Sequence, residues 1–178
     1  MKSVVAGAPL SAILCLALLA GNAAAQAPAP GGARPPPPPP PPAVPEALAL
    51  EAAQSAIAAC QANGYKVAAA VVDSAGGTHL LVGAEGIRQG ALDSSIKKAF
   101  TAVTMKVPSA AIEVQAKTDT ALQAKITADP RLFARAGGLP IMAKGELVGA
   151  IGVGGAPGGD KDEACATAAL AKIKDRLG

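Results

Sequence analysis

Eight consecutive prolines, Pro35 to Pro42, divide this chain before any folding argument begins. A proline run has no backbone donors and a fixed φ, so it forms neither helix interior nor sheet and extends as polyproline II. At roughly 3.1 Å per residue, the eight prolines span about 25 Å. The wider segment Gln26 to Pro45 holds 11 of the 16 prolines and reads as a stiff, disordered spacer. Residues 1–25 on one side and 46–178 on the other are therefore separate problems.

On the N-terminal side, Lys2 precedes an apolar run through Ala20, and Ala23-Ala24-Ala25 offers a small-residue cleavage site. This is the pattern of a secretory signal peptide. Pro9 shortens the uninterrupted apolar stretch to about 11 residues, below the roughly 20 that span a bilayer. Leu14 before Cys15 does not fit a lipidation site. The expectation is a periplasmic or secreted protein with no membrane insertion once the leader is removed.

The 133 residues from Glu46 to Gly178 suffice for one domain with a modest core. The mature chain carries 15 basic and 13 acidic residues, a balance that gives no case for nucleic acid or an anionic membrane surface. Only Tyr65, Phe100 and Phe133 are aromatic, so the core must be built from Ala, Val, Ile and Leu. An alanine-rich core of this size is marginal alone, which favours a homo-oligomer. Cys60 and Cys165 survive processing and can pair only with each other. Antiparallel neighbouring helices would bring them together, whereas other arrangements leave two buried thiols.

Along the domain, Pro45 and Glu46 open a helix to Asn63 that Gly64 stops. Strands at 67–73 and 78–83 flank a Ser74-Ala75-Gly76-Gly77 turn as one hairpin. Helical spacing runs from Leu92 to Met105, then from Ser109 to about Thr118. Thr120 and Gln123 suggest a capping box for a short third helix. A second hairpin joins 139–143 to 146–152 through Lys144-Gly145, and a helix from Asp160 to Leu177 closes the domain, capped by Asp160 and Glu163. The fold class is α+β. A central antiparallel sheet from two hairpins has the first and last helices on one face and a helical insertion between the hairpins.

The glycine-rich junction from Gly149 to Asp160 would suit a phosphate, yet it matches neither phosphate template. Gly154 and Gly159 have P-loop spacing, but Asp160 follows where Lys is required; the dinucleotide pattern fails at Pro157. The junction reads first as architecture seating the last helix, and second as a wall of a ligand site. Nucleophilic catalysis lacks a base beyond the single His79, no zinc spacing exists, and Asp160, Asp162 and Glu163 read as a helix start rather than a calcium site.

Four blocks are distinctive: Val71-Val72-Asp73 with Gly76-Gly77; Lys97-Lys98-Ala99-Phe100-Thr101-Ala102; Gly137-Gly138-Leu139-Pro140-Ile141; and Gly149-Ala150-Ile151-Gly152-Val153 running on through Asp160-Lys161-Asp162-Glu163-Ala164-Cys165. In order and approximate spacing they resemble the GlcG/HbpS family of haem-binding proteins over residues 46–178. The resemblance implies symmetric oligomers, often octamers, and binding of haem or a related tetrapyrrole. It also leaves room for a small enzyme or enzyme accessory linked to glycolate or corrinoid metabolism, and for a structural oligomer without ligand. Under the haem reading, His79 is the candidate iron ligand, with Met105 as the thioether alternative. Lys97, Lys98 and Arg88 are candidates for propionates, Thr101 lies beside them, and Gly137, Gly138 and Pro140 would contribute shape and backbone donors. Haem breakdown would use the cofactor's own chemistry and leave few marks in the sequence.

Overall fold

A computed structural model of the chain describes residues 36–177. The proposed leader and the first part of the spacer, residues 1–35, lie outside the described residues. Pro36 to Ala43 are exposed and without regular structure, but Val44 is fully buried and the Pro42 carbonyl accepts from Ser74 N–H at 2.9 Å. The packed unit therefore reaches back to Pro42, four residues before Glu46.

Among the described residues nine regular elements follow: α1 (Glu46–Gln61), β1 (Ala68–Asp73), β2 (Thr78–Gly83), α2 (Gln89–Met105), α3 (Ser109–Gln115), α4 (Thr120–Ala128), β3 (Gly138–Ala143), β4 (Glu146–Gly154) and α5 (Gly159–Ile173), with a 3₁₀ turn at Lys174–Arg176. The sheet order is β2-β1-β4-β3 and every pairing is antiparallel. Each hairpin forms as its turn residues dictate, and the two join where β1 pairs with β4, Val71 opposite Ile151. The class is α+β in a single domain, with helices between the hairpins.

Strand alternation sends side chains to opposite faces. Ala69, Val71, Ile151 and Val153 point to one face and pack with α1 and α5, through residues such as Ala53, Ile57, Ala166 and Ile173. A buried Val or Ile contributes about 1.5–3 kcal/mol relative to exposure, so this face carries most of the core. Cys60 of α1 and Cys165 of α5 are joined there by a disulfide across 105 residues, with Cα atoms 5.6 Å apart.

The opposite face is covered too. Val72 and Ala150 pack against Ala99, Ala102 and Val103 of α2, so the insertion supplies a third layer. This corrects the role of the glycine-rich strand. A Cβ at Gly152 would collide with the Ser95 carbonyl and the Ala99 nitrogen, so Gly152 lets α2, rather than the last helix, lie backbone-close on β4.

Both expected capping boxes are replaced. At α4 the cap is Asp119, whose Oδ1 accepts from Leu122 N–H at 2.9 Å, and Thr120 is already the first helical residue. At α5 the residue before the helix is Gly158, with no side-chain cap; Asp162 and Glu163 turn toward other partners described below. Helix ends differ as well: α1 stops at Gln61 and α3 at Gln115, short of Asn63 and Thr118, α2 begins at Gln89, one turn before Leu92, and α5 ends at Ile173 with the 3₁₀ turn after it.

Candidate functional site

Asp73 ends β1 and folds the first hairpin turn around itself: its Oδ1 accepts from Ala75 N–H at 2.9 Å and Gly77 N–H at 2.8 Å. Between them Gly76, at φ +87°, presses on the edge of Phe100; a Cβ there would sit 2.7 Å from Cε2. Phe100 lies on the α2 face that Asp93, Ile96 and Lys97 also present, at helical spacings of three and four.

Arg131 completes the wall from the loop after α4. Its Cζ lies 4.5 Å from the Phe100 ring centroid, a cation–π contact, while Nε and Nη2 donate to the two Asp129 carboxylate oxygens at 3.0 and 2.7 Å. These hydrogen bonds, with the Arg131 backbone N–H, hold the Asp129 carboxyl down at about 2. The same pairing raises the Arg131 pKa above its ordinary value.

The result is an open groove of about 660 Å³ between the hairpin turn and α2. Ile96, Phe100 and Pro130 make it apolar, Lys97 and Arg131 add two cations, and Asp93 is the acid, its Oδ1 accepting from Gln89 Nε2 at 2.8 Å. Such a site suits a flat apolar body bearing carboxylates.

A second polar centre lies deeper. Lys98 Nζ donates to Asp162 Oδ2 at 2.6 Å and to the Val153 carbonyl at 3.0 Å, with both side chains about 4% exposed. Asp162 Oδ1 accepts from Ala156 N–H at 3.0 Å. Burial pushes the Asp162 carboxyl above its ordinary range, and Lys98 pulls it partly back. Around this pair, Ser109 Oγ donates to the Arg135 carbonyl and accepts from Gly138 N–H, and Glu163 Oε2 accepts from Gly137 N–H at 3.3 Å. Every polar group here is matched inside the chain, which marks it as a structural node.

The residues singled out in the sequence do not form one cluster. Lys97 lines the groove, whereas Lys98, one residue on, is buried with Asp162 and is no partner for a surface carboxylate. Thr101 is fully buried; its hydroxyl donates to the Lys97 carbonyl and accepts from Phe133 N–H. Gly137 and Gly138 spend their N–H groups on Glu163 and Ser109, so these backbone donors are not offered to a ligand. Pro140 lies on β3 opposite Ala150. Arg88 precedes α2 and lines a separate cavity of about 440 Å³ with Tyr65 and Lys66. Met105 is the last residue of α2, half-buried.

His79 is exposed on the edge strand β2, at the bulge where Val71 pairs with Leu80 and Val72 with Thr78. The bulge leaves His79 without an opposite residue, one position beyond the groove-lining Thr78. Among the described residues, no group of three or more His, Cys, Asp or Glu is arranged to hold a metal ion. Nor is any described helix long and apolar enough to cross a membrane. Sequence reasoning missed Arg131 and Asp129. An Asp-Pro-Arg tripeptide reads as a helix stop, and nothing local says that its arginine reaches Phe100.

An antiparallel α+β sandwich of this topology, with the glycine-backed α2 on one face, defines the class. The chain belongs to the HbpS-like family: the family model described as haem degrading protein HbpS-like matches residues 44–171. A double mutant of HbpS from Streptomyces reticuli is similar at 35% identity and a TM-score of 0.69, over 83% of this chain and 98% of that one. The Klebsiella pneumoniae protein ORFY shares the fold at 24% identity and a TM-score of 0.69, covering 74% of this chain and 90% of its own. A PduOC:heme complex does so at 22% identity and a TM-score of 0.66, over 74% and 95%. A comparison with curated proteins found no match.

Proposed function

We propose that this chain binds haem or a closely related tetrapyrrole in the groove beside Phe100. The observation that carries the reading is the pairing of an apolar wall, Ile96, Phe100 and Pro130, with the cations Lys97 and Arg131 on one open surface. A planar macrocycle with two propionates matches both features. Membership of a family described by haem degradation supports the choice of ligand. When bound, haem would supply iron redox chemistry; the chain's own residues hold the ring against Phe100 and pair its carboxylates.

Export from the cytoplasm, the spacer role of the proline run and assembly into a homo-oligomer belong to the same proposal. The Cys60–Cys165 disulfide supports an oxidising compartment. Exposed apolar side chains on two surfaces, Val114 and Met142, support contact with further copies. The chain then acts as a haem scavenger or a sensor accessory outside the cytoplasm.

Titrating the mature chain with hemin tests the ligand. The expected result is a saturable Soret shift at micromolar concentration, and its absence contradicts the reading.

A further inference from the structure

Resting on the tetrapyrrole reading above, we infer that the groove recognises the macrocycle and its two carboxylates rather than the metal at the centre, so that porphyrins without iron are equally good ligands.

The axial side chains that proteins most often give iron in a porphyrin are imidazole, thiolate, thioether and phenolate. The side chains lining the groove are apolar, cationic, a hydroxyl and one carboxylate already bonded to Gln89. The chain has one histidine, one tyrosine and three methionines in all. His79 is exposed at the bulge and is not part of the groove wall. Tyr65 lines the cavity beside Lys66 and Arg88, and Met142 lies on β3, at the other edge of the sheet from β2. Met105 is five residues beyond Phe100, about 7.5 Å further along the helix. Cys60 and Cys165 are tied to each other.

What the groove does supply is directed at the ligand's periphery. Arg131 has five N–H bonds, of which Asp129 takes the one on Nε and one on Nη2. Among the described residues, the remaining three have no partner and are free for a carboxylate while Asp129 holds the guanidinium in place. Lys97 is half-buried on the adjacent helix face, with no hydrogen bond or ion pair from its ammonium among the described residues. Phe100 is held by Gly76 at its edge and by Arg131 over its face, which fixes the apolar wall of the groove in place.

Equilibrium titration of the mature chain with hemin, zinc protoporphyrin and protoporphyrin IX tests this, read by absorbance and by porphyrin fluorescence. The expected dissociation constants agree within about tenfold, and His79→Ala leaves all three within about threefold of wild type. Charge reversal at Lys97→Glu with Arg131→Glu should weaken each by about tenfold or more, as should esterifying the propionates. Both positions are on the surface, and a matching circular dichroism melt confirms that the variant is folded. Hemin binding more than about tenfold tighter than protoporphyrin IX, or lost with His79→Ala, overturns metal-blind recognition. Binding of all three that ignores charge reversal overturns the groove as the site, and no binding of any porphyrin overturns the tetrapyrrole reading itself.

Discussion

Lys98 and Asp162, 64 positions apart in sequence, meet at 2.6 Å and fasten α2 to the start of α5 beneath the surface. A buried ion pair adds little net stability over an apolar pair, but losing one member strands the other charge in a poor solvent. Lys98→Met should therefore cost about 3–5 kcal/mol in urea denaturation, and adding Asp162→Leu should recover most of it. A single variant as stable as the wild type would show that the pair is solvated.

Glycine-to-alanine changes should have opposite signs in two places. At Gly152 the new methyl meets the Ser95 carbonyl and the Ala99 nitrogen, so α2 must lift from β4, at a cost of about 1–3 kcal/mol or more. At Gly90, in the first turn of α2, nothing lies within 4 Å of the added carbon. There the change should stabilise by about 0.4–1 kcal/mol through lost freedom of the unfolded chain. Thermal melts of the two variants check the pair.

Asp129 titrates at about 2 because Arg131 favours its charged form. A depressed carboxyl contributes stability that is present above its ordinary value of 3.8 and lost as pH falls through about 2. Arg131→Ala should return the Asp129 midpoint toward 3.8 in a carboxyl NMR titration. Because the pair is exposed, the effect on global stability should be small. An unmoved midpoint would mean that Arg131 is not the cause.

The Cys60–Cys165 bridge closes a loop of 105 residues between α1 and α5. Replacing both cysteines by alanine should lower stability by about 2–5 kcal/mol, chiefly by freeing the unfolded chain. Denaturant midpoints with and without the bridge measure this directly.

The sequence made the two hairpins legible because their signals are local. Val71, Val72 and Val82 in the first hairpin and Val148, Ile151 and Val153 in the second supply strand propensity, and Ser74-Ala75-Gly76-Gly77 and Lys144-Gly145 are strong turns. The second covered face was not legible. Gly152 and Ala150 give no apolar bulk to betray a buried surface, since close backbone approach removes the side chains that would announce it. Capping failed for a related reason: Glu163, expected to pair with Asp160, accepts instead from Gly137 N–H 26 residues away, and a local motif cannot see such a partner. Lys97 and Lys98 look equivalent in sequence, yet about 100° of helical rotation sends one to the groove and the other to the interior. Arg131 joins the site only through the tertiary fold, from a loop whose sequence says only that a helix stops.

Amide chemical-shift mapping during titration with zinc protoporphyrin locates the bound macrocycle, since this probe is diamagnetic and reports where the ring sits. Shifts concentrated at residues 75–78, 93–100 and 130–131 are the predicted result. Shifts concentrated instead around Tyr65, Lys66 and Pro157, or no saturable shifts at all, would contradict it.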